Sequence, residues 1–389
     1  MRHELLAEFG SSECLNLVQT WLRECKTKHT TQNCHIHDEQ CLPNRVLDIS
    51  SARPRLVATS SECGHFVALS HCWGNSNFQP PKTLSSNVEE HHKTGIAETS
   101  HSASFRDATT VSRYLGYLYI WIDSLCIIQD DSEDWERESG LMAGVYGRAD
   151  LVIGARSAGD GSHGFLGRRP HYFKGTTCIR GGSKHKPWAI PYRSCLPHNP
   201  HATNREAFRL ANERPLEFRA WAFQERLLAR RFVSFGAHEL SWECNSLLEC
   251  ECLTEHSYPL DSKSPRARQS VSVHRKYNLQ RKLEQEVPSA HLLSAWRKNI
   301  VEPYTERQLT RSSDRLAALS AIAFEFSKKV SDQYMAGIWR KDLQRGLLWC
   351  RNGTDNALVT GAPSWSWASV EGHISWMRRK VDPAECPES

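Results

Sequence analysis

The sequence predicts an α/β fold: a mostly parallel sheet with flanking helices, a long insertion, and a mainly helical C-terminal half. Three observations near the middle of the chain predict it. The run Tyr119–Ile122 is short, apolar and rich in aromatic and β-branched residues, as a strand covered on both faces should be. Asp131, Ser132 and Asp134 offer N-caps and favourable negative charge for a helix, and Trp135, Glu138, Met142 and Tyr146 then recur at helical spacing. A second apolar run, Leu151–Ala155, closes a strand–helix–strand unit. Ligands of open α/β sheets bind outside the carboxyl ends of the strands, so Asp123, where the first run stops, stands where chemistry would be done.

The other elements fall into order around this unit. Residues 1–60 read as a leader. A helix around Leu5–Cys25 carries Leu15, Val18, Trp21 and Leu22 on one face, and a Cys/His-rich loop and an edge strand over Asn44–Ile49 follow. A core domain over 61–254 opens with the strand Gly64–Leu69 and its Ser-His-Cys-Trp-Gly turn. A helix bearing Phe105, Ala108, Val111 and Tyr114 then leads to Tyr119. The strands near Phe66, Tyr119 and Leu151 should lie side by side and parallel, because a helix separates each pair. Residues 156–215, rich in Gly, His, Pro and Arg, read as an insertion with little regular structure, of which about 160–210 should cover the carboxyl edge of the sheet. Phe218–Arg231 should be helical through Gln224, Glu225, Leu227 and Leu228, and Phe232–Glu243 should form a hairpin around Gly236. A polar linker over 255–288 leads to a helical region over 289–389, with helices near Leu292–Val301 and Asp314–Phe326. Its tail, Pro363–Ala368, alternates like a packed strand.

Composition narrows the function classes. A chain of 389 residues with 39% hydrophobic residues and 13 Trp is globular and long enough for about two domains. A net charge of +5 and a pI near 8.5 are too weak to imply nucleic acid without a focused patch. The basic groups at Arg345–Arg351 and Arg378–Lys380 are broken or short. No apolar run approaches the roughly 20 residues that span a bilayer. Fourteen Cys with no secretory leader suggest free thiols in a reducing, cytoplasmic compartment. No Gly-x-Gly-x-x-Gly or Walker motif is present, which argues against dehydrogenases and kinases.

Two Cys/His groups, Cys25-x3-His29-x4-Cys34-x6-Cys41 and Cys244-x5-Cys250-x-Cys252, supply zinc-compatible donors. Neither has a paired Cys-x2-Cys spacing, so no metal is assigned. Cys126, after a buried run, reads as an inert core thiol. Ser70, His71 and Trp73 form the turn after the first core strand, where backbone amides and side chains meet ligands. A Ser70–His71–Asp123 triad is disfavoured, because neighbouring strand residues point to opposite faces and no Gly-x-Ser-x-Gly elbow is present. Asp123 is read either as a ribose or His71 partner, or as a helix cap or partner for Arg219.

The blocks Leu69–Gly74, Tyr119–Tyr146, Arg219–Leu228 and Glu239–Cys244 resemble, in order and spacing, the heterokaryon incompatibility (HET) domain of filamentous fungi. Tyr304–Thr310, Asp314–Leu319, Gly337–Arg340 and Pro363–Trp367 resemble the C-terminal half often joined to it. The resemblance implies a role in non-self recognition and programmed cell death. That domain has been likened in turn to Toll/interleukin-1 receptor (TIR) domains, some of which cleave NAD, an analogy at the level of fold that implies a flavodoxin/TIR-like sheet. By that analogy Glu225, in Trp221-x-x-x-Glu225, is the catalytic candidate. A carboxylate there would stabilise positive charge developing on the ribose as nicotinamide leaves. Ser70, His71, Trp73, Asp123, Arg219 and Trp221 are the ligand-contact candidates. The competing readings are that Glu225 pairs with Arg219 or Arg230, and that Trp221 is core. NAD is the candidate substrate, and no resident cofactor is implied. The alternative function is a non-enzymatic module that self-associates or binds a protein partner.

Overall fold

The computed structural model describes residues 8–29, 34, 40–60, 62–74, 79–97, 102–169, 215–251, 287–352, 358–359 and 361–376, and the backbone alone of 177–183 and 186–192. The chain forms two compact units, residues 1–278 and 279–389.

The first unit is built on an eight-stranded mixed sheet. Its strands are β1 (Arg45–Asp48), β2 (Arg55–Ala58), β3 (Phe66–Ser70), β4 (Tyr119–Trp121), β5 (Leu151–Gly154), β8 (Arg231–Phe235), β9 (Leu240–Cys244) and β10 (Leu248–Cys250). A separate antiparallel hairpin, β6 (Thr177–Ser183) and β7 (Lys186–Tyr192), lies between β5 and β8 in sequence. The strand order is β10-β9-β8-β5-β3-β4-β1-β2. The inner four, β8-β5-β3-β4, run parallel, and antiparallel pairs extend both edges. The expected neighbours are therefore found: Phe66 pairs with Tyr119 and Val67 with Leu151, both in parallel register.

Local chemistry explains the helices that position the site. Ser11 caps α1 (Ser12–Lys28) and Ser102 caps α3 (Ala103–Tyr114), each with a side chain that accepts a backbone N–H of the first turn. A short helix, α2, covers Val88–Lys93. One turn, α4 (Asp123–Cys126), follows β4, and Asp131 caps α5 (Ser132–Arg148) through the amides of Glu133 and Asp134. The Tyr146 ring of α5 packs edge-on against Trp121 of β4 at 5.5 Å. The turn α6 (Pro215–Phe218) precedes α7 (Ala220–Leu228), which packs on α5.

Three expectations change. The strand at Arg45–Asp48 is not an edge strand, since β2 pairs outside it. The insertion contains the β6–β7 hairpin where little regular structure was expected. Most of the rest of that insertion lies outside the described residues, and with it the expectation that it covers the sheet's edge. In the second unit the helices appear over Ser289–Ala295, continued by a π-helical segment Trp296–Val301, and over Ala317–Val330. The tail Pro363–Ala368, however, is turn and 3-10 helix, not strand. Its alternation serves another purpose. Trp367 and Trp296 are buried and both donate their indole N–H to the Gly337 carbonyl, at 3.0 and 2.9 Å. Satisfying two buried indoles through one carbonyl fixes the ring positions more tightly than a strand pairing would require.

Gly154 sets the spacing beneath the site. It pairs with Ser70 across β3 and β5, and a Cβ there would meet the buried Phe232 ring at 2.4 Å. Gly154→Ala should therefore cost about 1–3 kcal/mol through overpacking, read as a lowered denaturant midpoint with unchanged slope.

Candidate active site

The inner strands diverge at β3 and β5. The chain leaves β3 toward β4 on one side and leaves β5 toward β8 on the other. Such a switch point opens the carboxyl ends of the two strands, where α/β proteins place ligands. Ser70 ends β3, His71 follows it, Asp123 follows β4, and α7 delivers Arg219 at its N-cap and Glu225 in its second half.

Ser70 and His71 take opposite faces, as strand alternation requires. The Ser70 hydroxyl donates a short hydrogen bond to Glu225 Oε2. The His71 ring packs edge-on against Phe105 of α3 at 5.1 Å. Ser70 therefore addresses a carboxylate and not the histidine, and no hydrolase triad forms. His71 Nδ1 lies 3.7 Å from Asp123 Oδ1, and neither ring nitrogen has a hydrogen-bond partner. Burial pushes the His71 pKa down to about 4, so the ring is neutral at physiological pH.

Asp123 anchors the second half of the cluster. Its Oδ2 accepts from the Trp73 indole at 2.9 Å and from Arg219 Nη2 at 3.1 Å, and its Oδ1 accepts the Ser124 amide at 2.8 Å. Burial alone would raise its pKa, but His71, Arg219 and the Trp73 donor together hold it below the ordinary carboxylate range. Asp123 thus opens a helical turn and pairs with Arg219, while His71 approaches it without a hydrogen bond. The other arm of Arg219 donates to the His71 carbonyl. Trp73 is half-buried, with Lys82 at 5.1 Å and Arg219 at 5.9 Å from its ring. Trp221 is half-buried and packs against the core.

Glu225 is fully buried, and its Oε1 accepts no hydrogen bond. Burial pushes its pKa up to about 7. Arg219 opposes that rise, Asp123 adds to it, and the Ser70 and Tyr146 hydroxyls oppose it. Glu225 is thus joined to the cluster through Ser70, while Arg219 forms its ion pair with Asp123. Tyr146 was visible in the sequence only as one position of a helical face. Its hydroxyl donates to the Leu69 carbonyl at 3.3 Å, which brings it beside Glu225.

Arg219→Ala strands Asp123 in a buried position and should cost about 3 kcal/mol or more in urea unfolding. Arg219→Ala combined with Asp123→Asn should recover part of that loss, which a double-mutant cycle reads as coupling. The Asp123 contribution is present above the ordinary carboxylate pKa and is lost as pH falls through the lowered folded value.

Residues 66–225, from the first residue of β3 to the site carboxylate, match the family model described as heterokaryon incompatibility protein (HET). No curated protein and no solved structure matches the chain. Among the described residues no helix is long and apolar enough to cross a membrane. The stretch that builds β3, β4 and β5 and ends on Glu225 is a heterokaryon incompatibility (HET) domain.

Proposed function

We propose that this protein is a cell-death effector of fungal non-self recognition, and that its buried cluster cleaves the bond between nicotinamide and ribose in NAD or a related nucleotide. The observation that carries the reading is Glu225: a buried carboxyl with one unpartnered oxygen, poised at about 7, at the switch point of a parallel sheet. A group whose pKa lies near the working pH is suited to general base chemistry, and strongly shifted carboxyls concentrate at functional sites. The likening of HET domains to TIR domains, some of which cleave NAD, is an analogy at the level of fold that agrees with this assignment.

In this reading the C1′–N bond breaks and its electron pair leaves with nicotinamide. The Glu225 carboxylate faces the positive charge that develops on the ribose. Water then attacks C1′, and its proton passes to Glu225 and on to solvent, leaving ADP-ribose, nicotinamide and a proton. Ser70 holds the carboxylate by its hydroxyl, and Asp123 takes a ribose hydroxyl. Arg219, Lys82 and the Trp73 ring form the half-open lip that receives the phosphates and a base. Trp73 and Arg219 must part for substrate to reach Glu225, because the carboxyl has no exposed surface.

That complete burial favours a second reading, in which the cluster only shapes the domain and killing proceeds by self-association or a protein partner. Purified protein incubated with NAD separates the two. The enzymatic reading expects nicotinamide release that rises with pH through about 7 and falls by about 100-fold or more in Glu225→Gln. The variant should stay folded. A carboxyl whose folded pKa is raised destabilises the native state as pH climbs from its ordinary value, 4.5, toward about 7, and the penalty is complete above that. The shift corresponds to something on the order of 3 kcal/mol, so Glu225→Gln should melt no lower than wild type at pH 8. No release by wild type, together with undiminished killing by Glu225→Gln, would establish the second reading.

A further inference from the structure

Neither sequence grouping of cysteines survives as a unit, yet members of both converge elsewhere. Cys25 lies in the last turns of α1, and His29 caps that helix four residues later. The i,i+4 spacing turns both side chains to one side of the helix. Cys34 follows in the leader, and Cys244 ends β9. The three sulfurs and one His29 ring nitrogen all lie within 4.8 Å of one another, and His29 Nδ1 is 3.5 Å from Cys244 Sγ. The three cysteines are buried and unbridged, and His29 is half-buried. Cys41 is exposed, and it takes no part. Cys250 is likewise outside the group.

We propose that Cys25, His29, Cys34 and Cys244 bind a structural zinc ion. Three thiolates and one imidazole are a standard closed tetrahedral set, with all four positions filled by protein. An independent observation supports it. Arg231, the first residue of β8, is only 1% exposed, and its hydrogen bonds go to the Asp150 and Cys34 carbonyls and to Cys25 Sγ, at 3.2 Å for the sulfur. None of these partners is a carboxylate. A buried guanidinium needs an anion. Zinc with three thiolates carries one net negative charge, and Arg231 touches it directly. The Ser246 hydroxyl, 3.3 Å from Cys34 Sγ, supplies a further hydrogen bond of the kind that holds metal thiolates in place. Binding converts three thiols to thiolates and releases their protons, so occupancy rises with pH.

The ion joins two parts of the first unit. It ties the end of α1 to β9, beside the contact of Trp21 with Trp242 at 6.3 Å. The leader continues from there to β1 near the opposite edge of the sheet. A site of this kind makes the leader part of the folded domain.

The test uses the full chain purified with a thiol reductant. Elemental analysis should find one zinc per chain in the wild type and in Cys126→Ser, whose thiol is buried elsewhere in the core, and little in Cys244→Ser. Because loss of a buried thiol can unfold Cys244→Ser for other reasons, the decisive arm uses wild type stripped by a chelator. Added Co2+ should produce tetrahedral d–d bands and a thiolate-to-cobalt charge-transfer band, and zinc should abolish both and restore the melting temperature. Zinc-free wild type that develops no thiolate-to-cobalt band overturns the proposal. So does a folded Cys244→Ser that retains full zinc.

Discussion

The site depends on a carboxyl group buried from the surface. Glu225 is delivered into the interior by a short helix and accepts from the Ser70 hydroxyl, with the Tyr146 hydroxyl beside it, while its second oxygen is left unpartnered. A buried carboxylate without a direct cation is unfavourable, and the chain meets that cost by lifting the pKa to about 7 instead of supplying an ion pair. Arg219 is near enough to help but is committed to Asp123 and to the His71 carbonyl. Two carboxyl groups in one cluster thus have opposite characters: Asp123 is held ionised by its donors, and Glu225 is poised between forms. Environments that drive paired carboxyls apart in this way are a recurrent arrangement for acid–base chemistry.

The sheet explains why these groups meet. Residues more than 150 positions apart come together because β3 lies between β4 and β5, so that the ends of all three strands open at one edge. Gly154 keeps β5 close to Phe232 there, and α5 brings Tyr146 against α7. The His71 ring, on the opposite face, is neutral and packed on Phe105, which makes it a wall of the cluster and not its base.

Much of this was legible in the sequence, for identifiable reasons. The Tyr119–Ala155 unit combines an apolar run, an Asp131 cap and a helical period, and all three signals agree, so strand, helix and strand fall as expected. The hairpin around Gly236 was equally plain. The position of β1 was not, because its outer neighbour β2 is a four-residue strand, Arg-Leu-Val-Ala, with one buried position and too short an apolar pattern to announce it. Pro363–Ala368 misled because alternation of Trp with small residues serves indoles that share a carbonyl as well as it serves a strand. Ser70, His71, Trp73 and Asp123 followed from strand ends, and Glu225 from the family resemblance. The burial of Glu225 did not, since it depends on how α7 returns to the sheet after a long insertion, and local pattern carries no record of that. The Cys/His cluster shows the same limit: Cys25 and His29 are a local pair, but Cys244 reaches them only through the sheet.

The account stands on the protonation of Glu225, and infrared difference spectroscopy of the carboxyl C=O stretch measures it directly. A protonated-carboxyl band present at pH 6 should disappear as pH rises through about 7 and be absent from Glu225→Gln. A wild-type spectrum with no such band, or one that titrates in the ordinary carboxylate range, would contradict the account.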